Sequence, residues 1–461
     1  MKLNDNELNN KAQWEKAGIE LANFDRKAMI AETLKTPKWV HFGAGNIFRI
    51  FPAALQQTLL EQGMEKTGII MVAGRDGEIL EKVFKPCDNL TLGVTLKTSG
   101  AIQKKVIASI AKSMWMGNSE EFEELKSIFR SPSLQLASFT ITEKAYKVDG
   151  AGLDHYLAKV CSLLVERYKA GSLPLALVSM DNCSRNGDVL FAAIESFAIK
   201  LTEDGLVEKG FLDYIRNRKL LGFPLSMIDK ITPGPDKGVR ELLEKDGFND
   251  TEFYTKSTPT APFVNAEESQ YLVVEDCFPN GRPALEKTGV LFTDRETVDR
   301  VEKMKVGTCL NPLHTALAVF GCLMGYTLIN EEMKNPDLVK LVEGIGYREG
   351  LPVVIDPGII NPKEFIDQVI KIRLPNPFLP DAPQRIAADS SLKIPIRFGE
   401  TIKSYKKQGK NLAELVLIPL VLAAWLRYIL GIDDKGNPFE PSPDPQLESL
   451  KAALSEITLG Q

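Results

Sequence analysis

Lys305, Asn311 and His314 lie close together in the stretch Lys303-Met304-Lys305-Val306-Gly307-Thr308-Cys309-Leu310-Asn311-Pro312-Leu313-His314, where polar side chains sit inside an apolar run. No Asp, Glu, Lys or Arg follows Lys305 until Glu331, so the lysine stands where the chain enters a core. An ammonium drawn out of water gives up its proton more readily. A lysine that trades a proton near neutral pH suits the interconversion of an alcohol and a carbonyl. Asn311 precedes Pro312, which pushes it off helical backbone angles and into position to cap a helix that starts at the proline; His314 then falls in the first turn. A capping asparagine and one core histidine are equally ordinary structural features, so the chemistry needs a second signal.

That signal is the run Gly43-Ala44-Gly45-Asn46-Ile47-Phe48-Arg49, between the strand-like Trp39-Val40-His41-Phe42 and the helical pattern of residues 51–62. Glycines at a strand-to-helix turn let the backbone approach a pyrophosphate, and the free N–H groups of the helix start favour an anion. Two of the three usual fingerprint glycines are present, so a tight structural turn is the competing interpretation. A second strand, residues 68–73, ends in Gly74-Arg75-Asp76-Gly77. Asp76 suits the ribose diol of NAD and Arg75 the 2'-phosphate of NADP, which leaves both cofactors open.

Strand candidates at residues 135–141, 175–180 and 271–275 alternate with helical stretches at 152–168 and 189–201, which predicts a doubly wound, mostly parallel sheet. From about residue 298 helical patterns dominate, at 312–329, 336–342 and 412–432. The expected fold is thus α/β: a Rossmann-type domain over residues 1–297 and a mainly α-helical domain over 298–461. The uncharged stretch 306–330 and the apolar stretch 415–426 are expected as buried core helices, since polar residues interrupt one and the other is too short to span a bilayer.

The 461 residues carry 56 Lys plus Arg against 61 Asp plus Glu, a net charge of -5 that offers no broad cationic face to nucleic acid or an anionic membrane. The polar N-terminus lacks the basic-then-apolar order of a secretory signal, so a cytoplasmic protein is expected. Six cysteines without a CxxC pair, and His41, His155 and His314 far apart in sequence, argue for reduced thiols and no metal site.

Several motifs together resemble the long-chain mannitol dehydrogenase family, which includes the fructuronate and tagaturonate reductases. The turn Gly43 to Arg49 resembles its cofactor loop, which likewise ends in arginine. Leu221-Gly222-Phe223-Pro224-Leu225-Ser226-Met227-Ile228-Asp229-Lys230-Ile231-Thr232-Pro233 resembles the family signature, with Asp229 retained. Ser179-Met180-Asp181-Asn182-Cys183 and Ile141-Thr142-Glu143-Lys144 resemble two further family segments.

The resemblance implies that Lys305 is the general acid/base, with Asn311 and His314 beside it, Asn182 and Asn311 donating to the reacting oxygen, and Glu302 as a proton relay. It also implies that Arg385, Lys393 and Asp229 touch substrate and that Thr142 and Glu143 join the glycine turn and Asp76 at the cofactor; Arg373 and Asn376 are family-like as well, but are read as structural. Six steps separate Lys305 from Asn311 where the family usually has five. A one-residue bulge is therefore expected near Gly307 or Thr308, with Lys303 as the alternative lysine. The implied activity is metal-free, NAD-dependent reduction of a ketouronate, D-fructuronate to D-mannonate. Tagaturonate reduction, mannitol 2-oxidation and a non-catalytic dinucleotide sensor are the alternatives, and the oligomeric state is left open between monomer and small homo-oligomer.

Overall fold

Six short strands make the sheet that organises the N-terminal half: β1 (Trp39–Phe42), β2 (Ile69–Ala73), β3 (Ile110–Trp115), β4 (Leu136–Phe139), β5 (Leu175–Ser179) and β6 (Leu221–Gly222). Their order is β3-β2-β1-β4-β5-β6 and every neighbouring pair is parallel. Strands β1, β2, β4 and β5 are buried at every residue, as a sheet covered on both faces requires. The order reverses between β1 and β4, and ligands of such sheets bind outside the carboxyl ends at that switch.

The computed structural model describes residues 1–74, 76–254, 256 and 259–457. Arg75, on which the NADP alternative rests, lies outside the described residues. Two compact units divide the chain, Met1–Val298 and Asp299–Gln461.

In the first unit the helices Tyr156–Lys169 and Asn186–Glu203 pack on the sheet as the alternation predicts. Residues 271–275 do form a strand, but it pairs antiparallel with Ser226–Asp229 in a separate three-stranded sheet. A further four-stranded sheet contains Thr91–Leu96 and Ile102–Ile107, which the sequence pattern did not single out. At the amino ends of β4 and β5 the buried Arg167 donates to five backbone carbonyls, those of Phe129, Ser131, Leu134, Leu173 and Pro174. All five N–H donors of one guanidinium are thus spent on the connections at that end.

Among the described residues the second unit contains no strand. Its central helix, Asn311–Met324, is buried along most of its length, as expected of a core helix. The helix Leu417–Leu430 differs from expectation: Ile418, Val421, Ala424, Tyr428 and Ile429 are buried, while Leu420 and Leu426 are exposed. It covers the core with one face only. Its first amides, those of Val416, Leu417 and Ile418, donate to the buried Glu349 carboxylate, which caps the helix from a distant segment.

A second buried carboxyl, Glu332, is fully shielded from solvent, and neither of its oxygens has a hydrogen-bond partner. It packs against Gly321 of the central helix, where a side chain would collide with Oε1 and with Pro383. Burial pushes the Glu332 carboxyl up to about 9.

Candidate active site

The helix Arg295–Met304 does not stop at Lys305 but passes through a π-helical turn, Lys305–Cys309, into Asn311–Met324. The Leu310 amide donates to the Lys305 carbonyl at 3.1 Å, a bond spanning five residues instead of four. This is the bulge that the extra residue calls for. One residue added to an α-helix would rotate everything beyond it by about 100°; a π turn takes up the insertion and keeps both flanking helices in phase.

Lys305 is buried. Lys303, the alternative, is exposed and paired to Asp299 at 2.6 Å. Glu302, half-buried, lies one turn before Lys305.

Asn311 does not cap a helix. It is the first residue of a helix that continues from the π turn, it makes no capping bond, and its amide has no hydrogen bond among the described residues. With no bare helix end to satisfy, the side chain is left for other use. Asn311 and His314, three residues apart on one helical face, are half-buried, while Pro312, Leu313 and Thr315 around them are buried.

His314 Nε2 lies 3.4 Å from Asp381 Oδ2. Burial alone would raise the Asp381 carboxyl, but His314 and Arg385 more than offset it and leave it below the ordinary aspartate range. The contact lies outside hydrogen-bond geometry and Nε2 is buried without a hydrogen-bond partner, so Asp381 acts on the imidazole through its charge. The other two histidines serve structure. His41 is buried between the Ser138 and Thr140 hydroxyls, 2.7 and 2.9 Å away, and burial holds it well below the usual histidine range; His155 caps the helix Tyr156–Lys169.

The cations expected to touch substrate are already engaged. Arg385 is ion-paired with Asp381, and the Lys393 ammonium donates to the carbonyls of Ile386 and Ala388. Burial pulls Lys393 below its usual range, and the neighbouring Arg397 and Arg385 add to this. Arg397 was not singled out from the sequence. It donates to the Thr315 hydroxyl, which itself donates to the Asn311 carbonyl at 2.8 Å. Asp381 was also missed, because its one sequence signal is the four-residue spacing to Arg385. Arg373 and Asn376 are both buried, and Asn376 Oδ1 accepts the Phe378 amide at 3.0 Å, in keeping with a structural role.

The remaining predicted residues belong to the first unit. Gly43 follows β1 at φ +134°, and a side chain there would collide with the Thr140 carbonyl. Gly45 faces open space and Ala44 is half-buried, so backbone is presented at the switch point. Asn46 Nδ2 donates to the Pro233 carbonyl at 3.4 Å, and its oxygen is buried without a partner. Ile47 is half-buried.

Phe48 and Arg49 point away from any ligand. Phe48 stacks on His41 at 3.7 Å; the enclosed Arg49 donates to Thr91 Oγ1 at 3.1 Å and lies over the Phe84 ring. Burial lowers Arg49 to about 10. A dinucleotide can meet these two residues only through their backbone.

Asp76, after β2, accepts the Tyr254 hydroxyl at 3.0 Å on Oδ1 and 2.8 Å on Oδ2. It borders a cavity of about 320 Å³ that is also lined by Gly77, Trp115 and Asn118. Nothing in the local sequence marks Tyr254 as the partner of Asp76. Beyond β4, Thr142 is held at φ +70°, a strained angle for a β-branched residue. Its amide and that of Ile141 donate to the Asp181 carboxylate at 3.0 and 2.9 Å, while Tyr146 Oη donates at 2.7 Å. Burial raises the Asp181 carboxyl against these three donors. Glu143 and Asn182 are exposed on the loops after β4 and β5, and Asp229 is buried at the end of its strand. A glycine turn open at Gly45, a carboxylate beside a cavity after β2 and exposed loops at the strand carboxyl termini fit a dinucleotide. Among the described residues no group of His, Cys, Asp and Glu gathers as metal ligands do.

A dinucleotide turn on one unit and a buried lysine with an asparagine and a histidine on the other are the equipment of a dehydrogenase, and this chain is an oxidoreductase acting on CH–OH groups. It belongs to the mannitol dehydrogenase family, whose Rossmann domain matches residues 37–287 and whose C-terminal domain matches residues 297–458. It is 51% identical to a D-mannonate oxidoreductase of Thermotoga maritima, over 100% of this chain and 89% of that protein. A mannitol 2-dehydrogenase of Pyrenophora tritici-repentis is 29% identical, over 92% and 74% of the two chains. Among solved structures, a Pseudomonas fluorescens mannitol 2-dehydrogenase in ternary complex with NAD and D-mannitol matches with a TM-score of 0.72 and 26% identity, covering 99% of this chain and 89% of that one. A D-sorbitol dehydrogenase in substrate-free form shares the fold with a TM-score of 0.80 at 24% identity, covering 94% and 88%.

Proposed function

We propose that the protein carries out the reversible, NAD-dependent reduction of a ketouronate, D-fructuronate to D-mannonate, without a metal. The observation that carries this choice is the 51% identity, over the whole chain, to a D-mannonate oxidoreductase. When bound, the dinucleotide supplies or accepts the hydride at the carbonyl carbon. Gly43, Ala44, Gly45 and Asn46 would hold its pyrophosphate and Asp76 its adenosine ribose, with the Thr142–Glu143 loop at the same edge of the sheet.

The second unit handles the proton. Lys305, as an ammonium, gives its proton to the substrate oxygen as the carbonyl becomes an alcohol, and takes one back in the reverse direction. The Asn311 amide donates to that oxygen while negative charge develops on it, which a preformed donor does without rearrangement. His314, whose Nε2 is left without a hydrogen-bond partner by the protein, orients the substrate hydroxyls. Glu302, one turn from Lys305, returns the proton to the lysine.

The experiment is NADH oxidation with D-fructuronate, D-tagaturonate and D-fructose side by side, repeated with NADPH. A clear preference for D-fructuronate with NADH is expected. Preference for D-fructose would replace this reading with that of a mannitol 2-dehydrogenase. NADH binding without turnover of any of the three would point to a sensor.

A further inference from the structure

We propose that Arg397 is the anchor for a carboxylate on the substrate, so that the second unit itself selects a sugar acid over a neutral sugar; this rests on the sugar-acid reading above. Arg397 sits in another of the second unit's π-helical turns, Pro395–Gly399. Its guanidinium donates to the Thr315 hydroxyl, one helical turn beyond Asn311, and Thr315 in turn donates to the Asn311 carbonyl. The helix that follows, Glu400–Lys407, is tied back by Thr401 Oγ1, which donates to the Gly307 carbonyl at 3.3 Å. The arginine is therefore fixed to the same two segments that carry Lys305 and Asn311.

What distinguishes Arg397 is its counter-charge. Several arginines meet carboxylates, Arg385 on Asp381, Arg295 on Asp188 and Glu275, and Arg282 on Asp276 and Glu286; Arg167 and Arg427 meet backbone carbonyls, and Arg218 lies over the Phe191 ring. Arg397 meets one neutral hydroxyl and, among the described residues, has no other hydrogen bond or ion pair. Burial lowers it to about 10, and no acidic group acts against that. A guanidinium that is half-buried yet unpaired is costly to keep, and a ligand carboxylate removes the cost by meeting its planar fork with two parallel bonds. Arg49 is also unpaired, but its terminal nitrogens are sealed in the core beyond the reach of any ligand. Lys393 is spent on two backbone carbonyls, and Arg385 is largely exposed and has Asp381 as its counter-charge, so Arg397 is the half-buried arginine of this cluster that lacks one. A polyol that bears only hydroxyls gains nothing from such a group.

The test is isothermal titration calorimetry of D-mannonate and D-mannitol into the enzyme holding NADH, a combination in which neither polyol can be oxidised. Wild type is expected to prefer D-mannonate. Arg397→Gln is expected to lower the D-mannonate to D-mannitol affinity ratio by about tenfold to a hundredfold, and Arg397→Lys, which keeps charge without the fork, by less. An unchanged ratio in Arg397→Gln, or no preference in wild type, overturns the proposal. Should Arg397→Gln fail to fold, Thr315→Val loosens the same guanidinium and is expected to lower the ratio a few-fold; an unchanged ratio there is equally fatal. If wild type reduces no ketouronate but the ratio collapses as expected, the reaction assigned above falls and the anchor stands. Turnover of D-fructuronate with an unaltered ratio in the variant has the opposite meaning.

Discussion

Glu332 should make the second unit lose stability as pH rises, and the size of the loss follows from its surroundings. The carboxyl is fully buried with both oxygens unpartnered, and burial raises it from an ordinary 4.5 to about 9. In the native protein it is therefore protonated at neutral pH, whereas in the unfolded chain it ionises. Between 4.5 and about 9 the unfolded state binds fewer protons, so stability falls with rising pH by about 1.4 kcal/mol per unit. The titration costs nothing below 4.5, about 3 kcal/mol at pH 7 and about 6 kcal/mol above pH 9.

Glu332→Gln keeps the shape and removes the titration. Urea unfolding followed by circular dichroism, for both proteins at pH 5, 7 and 8.5, measures the difference, and titrations common to both cancel. The variant's advantage over wild type should grow by about 5 kcal/mol between pH 5 and pH 8.5. If the two units unfold in separate steps, only the step of the second should respond. A difference that stays constant across the three pH values would mean that Glu332 is charged in the native protein, and the reasoning from burial would fail.

Lys305→Ala is expected to abolish turnover while leaving NADH affinity within a few-fold, by kinetics and by fluorescence titration; substantial remaining activity would take the lysine out of its role. Gly43→Ala places a side chain at φ +134° against the Thr140 carbonyl. It should cost about 1 to 3 kcal/mol of strain and weaken NADH binding at least tenfold in the same titration. Deleting Gly307 should close the π turn to an ordinary α turn, keep the helix Asn311–Met324 in phase and retain turnover within about tenfold. Deleting Ala318, inside that helix, should inactivate the enzyme. A folded but inactive Gly307 deletion would show that the π turn does more than absorb a residue.

The parts legible in the sequence were those that short-range physics dictates. The glycine turn after Trp39–Phe42 and the continuous apolar runs of β2, β4 and β5 announce a doubly wound sheet, because strands buried on both faces can carry little else. Strand β3 was not visible. It lies at the sheet edge, where Lys112 is half-exposed and Ser113 interrupts the apolar pattern, and an edge position tolerates this. The lysine, asparagine and histidine stood out as polar residues in an apolar run, and the extra residue between Lys305 and Asn311 foretold a bulge. The expectation that Asn311 caps a helix failed because the π turn leaves no helix end there to cap. The partners were hidden: Tyr254 reaches Asp76 and Arg397 reaches Thr315 across 178 and 82 residues, distances over which a single sequence carries no pattern. Arg385 and Lys393 stood out as cations, but the structure places them on Asp381 and on backbone carbonyls.

The five carbonyls gathered by Arg167 make the two ends of the parallel sheet unequal in what they can survive. At the amino ends of β4 and β5, a single substitution such as Arg167→Lys would leave several buried carbonyls without donors, since an ammonium offers three in place of five. Insertions, tags or protease cleavage sites placed in residues 129–134 or 171–174 should therefore be poorly tolerated. At the carboxyl ends a smaller tie, the Asp181 carboxylate accepting from Ile141, Thr142 and Tyr146, joins only the loops after β4 and β5, so the loop after β2 can lengthen or change sequence without disturbing it. Drift is thereby channelled to the edge that meets small molecules, and a new specificity can be tried there without loosening the sheet that presents it.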